Sequence, residues 1–170
     1  MATLAGTGIM QAFSRLAPRV QANWSIIQGV ATRGGTIAEA QSLVRLTGQA
    51  GIRRQDIARG LQVGRGVMEQ ANNFKNVRRD LSPNTREWLV RPSKTRQGLQ
   101  YVSDFKVTWT DSQGREGTSW LTVETSNPDL SREQWEDMAR AGWEAGNEGR
   151  NYAGITFVSA MPGDNPRRTS

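Results

Sequence analysis

The sequence predicts an α+β fold: an N-terminal helical region of three to four helices, followed by a small β-β-α-β module whose three-stranded sheet packs on one helix. Two patterns indicate this fold class. In the first 74 residues, apolar side chains recur at steps of three or four, as along one side of a helix. From residue 99 onward, apolar and polar side chains alternate over runs of strand length that are separated by turn residues.

The first helical stripe runs from Ile9 to Ile27. Pro18 interrupts this stripe, and proline is tolerated only in the first turn of a helix because it lacks an N–H group. We therefore predict one short helix before Pro18 and a longer helix over about 19–31.

A second helix is predicted over about 36–47, where Thr36 is suited to be the N-cap and Glu39 follows three residues later, as in a capping box. A third helical stretch covers about 53–74. Its middle carries three glycines, each of which weakens a helix by up to about 1 kcal/mol relative to alanine: Gly60, Gly64 and Gly66. We therefore predict a break near 62–65.

The β-β-α-β module begins with an alternating run from Leu99 to Trp109, and turn residues follow at 111–114. A second strand is predicted over about 117–125, so the two strands should form an antiparallel hairpin. Ser131 then stands three residues before Gln134, in the arrangement of a capping box at a helix start. A third strand containing Ile155, Phe157 and Val158 should follow the helix.

These elements predict four segments of the chain. A stretch with two prolines and seven Arg and Lys residues separates the helices from the strands, and is expected to be a linker or arm. The predicted boundaries are a helical region at 1–74, a basic linker at 75–98, the β-β-α-β module at 99–162, and a flexible tail at 163–170.

Charge is divided unevenly along the chain. Residues 1–100 carry 15 Arg and Lys against 5 Asp and Glu, whereas residues 101–170 carry 7 against 11. Such asymmetry indicates that the first part binds something acidic, such as nucleic acid, an anionic membrane or the acidic half of a neighbouring copy. Nearly all of the basic residues are arginines, whose planar side chains suit two-point contacts with phosphate or carboxylate.

Residue types that carry common chemistries are absent. The sequence contains no cysteine and no histidine, which excludes thiolate and imidazole nucleophiles and the usual zinc ligands. The carboxylates near residues 133–148 have the spacing of a solvated helix side. We therefore expect no enzymatic activity, no cofactor and no metal site. Because no apolar run is long enough to span a membrane and no secretion signal begins the chain, a cytoplasmic or virion-associated protein is expected.

Residues 53–74 resemble the helix-turn-helix motif of bacterial and phage repressors in the placement of apolar residues at Ile57, Ala58, Leu61, Val63, Met68 and Ala71. The resemblance implies a second helix over about 65–74 that enters the major groove, with Arg65, Glu69 and Gln70 facing the bases. The sequence departs from the motif at Gln62, where glycine is usual, and at Gly66. A DNA-binding regulator is therefore the alternative function.

The leading hypothesis is a non-catalytic structural or assembly protein, such as a virion or nucleoprotein component of a phage or mobile element. Its basic half should contact nucleic acid without sequence preference, or acidic surfaces of its own copies or of other structural proteins. The candidate nucleic-acid-binding residues are Arg53, Arg54, Arg59, Arg65, Lys75, Arg78 and Arg79. Trp24 and Trp120 are the candidate protein-interface residues. Binding to a membrane surface is a third alternative, over which we favour packing of the first helical stripe.

Overall fold

The computed structural model describes residues 6–48, 51–73 and 88–158, and in these residues it confirms the α+β fold class. The described elements are α1 (Gly6–Ser14), α2 (Pro18–Ala22), α3 (Trp24–Thr32), α4 (Ile37–Arg45), α5 (Arg54–Asn73), β1 (Leu89–Pro92), β2 (Leu99–Asp111), β3 (Glu116–Thr125), α6 (Arg132–Gly146) and β4 (Arg150–Val158).

The chain divides into two compact units. The first unit contains the described residues up to Asn73 together with Val90–Gln100, and the second contains Trp88, Leu89 and the described residues from Tyr101 onward. No helix of the described ranges is both long and apolar enough to cross a membrane.

The helix predicted over 19–31 is divided at Asn23 into α2 and α3. Pro18 occupies the first turn of α2, as predicted. Asn23 leaves the helical conformation, with φ −113° and ψ 28°, and its Nδ2 donates a hydrogen bond to the carbonyl oxygen of Arg19 at 2.7 Å. Asparagine side chains compete with helical hydrogen bonds in this way, and periodicity alone does not reveal it.

Helix α4 begins as predicted. The backbone N–H of Glu39 donates to the Thr36 hydroxyl at 3.1 Å, which confirms Thr36 as the N-cap. The Glu39 carboxylate forms an ion pair with Arg33.

Helix α5 is continuous over 20 residues, so the predicted break near 62–65 is wrong. Gly60 and Gly64 are buried where α5 packs against α2 and α3. A methyl group added at Gly60 would lie 2.7 Å from Cγ1 of Val20, and one added at Gly64 would lie 2.7 Å from Cβ of Ala31. The absence of a side chain therefore lets α5 approach α2 and α3 closely, and this packing offsets the low helix propensity of glycine.

The segment predicted as a linker contains a strand, β1, that the sequence pattern did not predict. Residues 75–87 of that segment, and the predicted tail at 163–170, lie outside the described residues. After β1, Ser93 N–H donates to the carbonyl oxygen of Gly98 at 2.9 Å, which closes the turn toward β2.

Two glutamine side chains fasten this turn region within the first unit. Gln70 of α5 hydrogen-bonds both backbone groups of Val90. Gln97 donates from Nε2 to the carbonyl oxygen of Ala22 at 2.9 Å and accepts at Oε1 from the backbone N–H of Ser25 at 3.1 Å. Gln97 therefore bridges the end of α2 and the start of α3.

In the second unit, β2 pairs antiparallel with both β3 and β4. The β2–β3 pairing confirms the predicted hairpin. Strand β1 is the fourth strand of the sheet and also pairs with β2, but its residues Val90–Pro92 belong to the first unit. Helix α6 starts at Ser131 with both hydrogen bonds of the predicted capping box to Gln134. The side of the sheet that carries Phe105 packs on α6, where the rings of Phe105 and Trp135 lie 6.4 Å apart.

Candidate nucleic-acid interface

The described residues of the two units carry opposite net charge. The first unit has eleven Arg and Lys residues against three Asp and Glu, whereas the second has five against ten. A charge excess of this kind produces a positive surface only where the cations are exposed and are not neutralised by neighbouring carboxylates.

The four predicted binding arginines that the structure describes lie at helix α5. Arg53 immediately precedes the helix, and Arg54, Arg59 and Arg65 lie within it, all exposed to solvent. Arg53 forms a 3.3 Å ion pair with Asp56. The other three form no hydrogen bond or ion pair with another described residue. We call Arg54, Arg59 and Arg65 the arginine face.

Helix geometry fixes the spacing within the arginine face. Arg54 and Arg65 are eleven residues apart, which is close to three full turns, so they point in nearly the same direction about 16 Å apart along the axis. Arg59 lies toward one margin of the exposed side. The opposite side of α5 is buried in the first unit through Ile57, Leu61 and Val67. Core packing therefore determines which way the arginines point.

Helix stability does not explain why an arginine occupies position 54, in the first turn of α5. The N-terminus of a helix carries partial positive charge, so a cation in the first turn is unfavourable there and an anion such as Asp56 is favourable. Arg54 is therefore an exposed cation that neither the helix dipole nor an ion pair with another described residue stabilises.

Four basic side chains of the second unit contact a carboxylate or an aromatic ring of the same unit. Arg115 forms a 2.7 Å ion pair with Asp111. The guanidinium groups of Arg132, Arg140 and Arg150 lie over the rings of Phe157, Tyr152 and Trp109, at 4.5, 4.6 and 4.2 Å from the ring centres. Cation–π contacts of this kind stabilise the unit. The sequence gives no local signal for these contacts, because each pair is brought together only by the sheet and α6.

The helix-turn-helix interpretation of residues 53–74 is not compatible with a continuous α5. Arg65 lies near the middle of the length of α5, not at the N-terminus of a recognition helix. Gln70, which the resemblance placed among the base-contacting residues, is only 7% exposed and hydrogen-bonds the backbone of Val90. Gly60 and Gly64, which were expected to weaken the helix, are packing positions.

The two predicted protein-interface residues, Trp24 and Trp120, differ in their exposure to solvent. Trp24 is 1% exposed and packs edge-to-face on Phe13, with ring centres 5.0 Å apart, so its side chain is part of the core and is not available as the expected interface. Trp120 is partly exposed, pairs across strands with Lys106, and lies on the sheet side opposite Phe105. The candidates Lys75, Arg78 and Arg79 lie outside the described residues.

The described residues contain no group of three or more Asp and Glu side chains placed to hold a metal ion. Comparisons of the chain with models of known protein families, with curated proteins and with solved structures give no match, so a functional assignment depends on the residues themselves.

Proposed function

We propose that this protein is a non-catalytic assembly protein, a component of a nucleoprotein or virion, whose basic helical unit binds nucleic acid through its phosphates. The observation that carries the proposal is the arginine face: three exposed cations, held in position by the buried side of α5, with no acidic partner among the described residues.

The chemistry of this side of α5 favours contact with the backbone of nucleic acid over recognition of bases. Guanidinium groups bind phosphate by two-point hydrogen bonds. The remaining exposed residues between the arginines include Gln55 and Gln62, whose amides can also hydrogen-bond phosphate or sugar. Because contacts to phosphate and sugar carry no sequence information, binding through these side chains should be insensitive to base sequence.

The test is the salt dependence of binding to several unrelated DNA duplexes, measured by fluorescence anisotropy. Each neutralised phosphate contributes about −0.9 to the slope of log K against log salt, so three arginines predict a slope of about −3. Arg65→Gln should weaken binding to every duplex alike and reduce the magnitude of the slope by about 1.

Arg33→Gln is the matched control, because it removes the same charge from a side chain that Glu39 already neutralises. It should change the slope less than Arg65→Gln does. The proposal is wrong if the wild-type protein binds no duplex at low salt, or if the two variants lower affinity equally.

A further inference from the structure

We infer, resting on the function proposed above, that the arginine face binds double-stranded DNA by contacting both strands across the minor groove. Arg54 and Arg65 bind phosphates of one strand, and Arg59 binds phosphates of the other. The ligand is therefore a duplex in preference to a single strand.

The three arginines lie in two rows along α5. Each residue of a helix turns by about 100° around the axis, so Arg54 and Arg65 lie within about 20° of each other. By the same rotation, Arg59 lies about 120–140° around the axis from both of them. All three side chains are exposed. Helix α5 therefore presents one row with two cations and, at the other margin of its exposed side, a row with one.

The surface between the two rows carries amides and neither acidic groups nor aromatic rings. The other exposed residues from Arg54 to Arg65 are Gln55 and Gln62, and Glu69, the exposed acidic residue of α5, lies one turn beyond Arg65. Proteins that bind single strands stack the bases on aromatic side chains, at about 1–3 kcal/mol per base. Without such rings, the affinity of this surface depends on contacts to phosphate and sugar.

Phosphate contacts favour a duplex over a single strand. Double-stranded DNA carries one negative charge about every 1.7 Å of its axis, twice the density of one strand. A duplex also holds its two lines of phosphates at set positions, whereas a flexible strand loses conformational entropy when it is ordered against a protein. The buried side chains of Ile57, Leu61 and Val67 set the position of α5, and with it the spacing of the two rows.

The width of α5 favours the minor groove. A helix with its side chains is about 10–12 Å across, whereas the minor groove of B-form DNA is about 6 Å wide and the major groove about 12 Å. The major groove can admit a helix that is free of neighbours, but α5 packs against α1, α2, α3 and α4. Helix α5 therefore lies over the narrower groove without entering it, and its two rows reach the backbones on either side.

The first measurement compares a DNA duplex of roughly two helical turns with each of its separated strands, by fluorescence anisotropy at low salt. We expect the duplex to bind at least about tenfold more tightly than either strand, because of its higher charge density. An RNA duplex of the same sequence has a wide, shallow minor groove and should bind more weakly than the DNA duplex.

The second measurement uses a duplex in which one strand carries neutral methylphosphonate linkages. The row with two cations should bind the charged strand, which leaves Arg59 facing the neutral strand. On the unmodified duplex, Arg59→Gln should reduce the magnitude of the slope of log K against log salt by about 1. On the half-neutral duplex, Arg59→Gln should have no effect, whereas Arg65→Gln should weaken binding to both duplexes.

Matched variants separate contact with phosphate from general effects of charge and folding. Arg33→Gln removes a charge that Glu39 already neutralises, and it should not alter the preference for the duplex. Arg59→Lys keeps the charge and should retain the salt dependence of the wild type. Thermal melting followed by circular dichroism checks that every variant is folded.

The outcomes distinguish the two-strand contact from the proposed function. Equal binding of duplex and single strand, or an effect of Arg59→Gln that is as large on the half-neutral duplex as on the unmodified one, overturns the two-strand contact even if Arg65→Gln still weakens binding. Equal binding of the DNA and RNA duplexes overturns the placement over the minor groove. If no duplex binds at low salt, the proposed function is wrong and the two-strand contact with it.

Discussion

Gln70 pairs with Val90 as one strand residue pairs with another. Its Nε2 donates to the carbonyl oxygen of Val90 at 3.0 Å, and its Oε1 accepts from the Val90 N–H at 3.4 Å. A side-chain amide has the same kinds of donor and acceptor as a peptide group. Gln70 of α5 therefore provides hydrogen-bond partners for both the N–H and the carbonyl oxygen of Val90 in β1. Gln70 is 7% exposed and Val90 is fully buried, so solvent cannot readily replace these bonds.

Gln70→Met should destabilise the protein by about 1–3 kcal/mol, because it leaves buried backbone groups of Val90 without partners. Urea denaturation followed by circular dichroism measures this change. Gln62→Met is the matched control, since Gln62 lies on the exposed side of the same helix. Equal effects of the two substitutions would show that the Gln70 bonds contribute nothing to stability.

Gly64→Ala should destabilise the first unit by about 1–3 kcal/mol, because the new methyl group would lie 2.7 Å from Cβ of Ala31. The same substitution at Gly142 of α6 meets no atom within 4 Å and should stabilise the protein by roughly 0.5–1 kcal/mol. The opposite signs can be measured by urea denaturation. If both substitutions stabilise, the close approach of α5 to α3 is not a constraint.

Ser131→Ala should cost about 1 kcal/mol of stability, because the Ser131 hydroxyl accepts a 3.1 Å hydrogen bond from the backbone N–H of Gln134 at the start of α6. Ser131→Asp keeps an acceptor at this position and should retain most of the stability. Ser126→Ala, at an exposed residue before the helix, serves as the control in the same denaturation series. A loss with Ser131→Asp equal to that with Ser131→Ala would contradict a capping role.

Asp111 should titrate below the ordinary range of an aspartate. The backbone N–H of Arg115 is the largest cause of its lowered pKa, and the Arg115 side chain and the Gln113 N–H act in the same direction. Because the pKa is lower in the folded state, the stabilisation is present above the unfolded pKa and is lost as pH falls through the folded pKa.

The measurement is an NMR titration of the Asp111 carboxyl group in the folded protein. Arg115→Gln should raise its pKa only in part, since the backbone hydrogen bonds of the turn remain. A midpoint at the ordinary value in the wild-type protein would rule out these bonds as an influence on the carboxylate.

Local signals predicted several elements correctly. The N-caps Thr36 and Ser131 and the turn between β2 and β3 depend on residues a few positions apart, so sequence proximity suffices to identify them. Gly60 and Gly64 misled the prediction of α5, because helix propensity is local whereas their packing partners, such as Ala31, lie more than thirty residues away.

The sequence predicted which residues the candidate site contains, but not which of them are buried or paired with other side chains. Sequence identified the arginines near α5, but Arg53 has an acidic partner and Arg65 has none among the described residues, a difference that the fold determines. Trp24 had the amphipathic spacing of either a core or an interface residue, and only its burial decides between them. Gln70 was assigned to base contacts because a polar residue on a helix gives no sign of a backbone partner twenty residues later.

The two sides of α5 should differ in how freely they can vary. Gly60 and Gly64 have no room for any larger side chain, whereas Arg54 and Arg65 can exchange for other polar residues without disturbing the interior. The proposed binding at this helix can therefore be tuned by surface substitutions while the architecture stays the same.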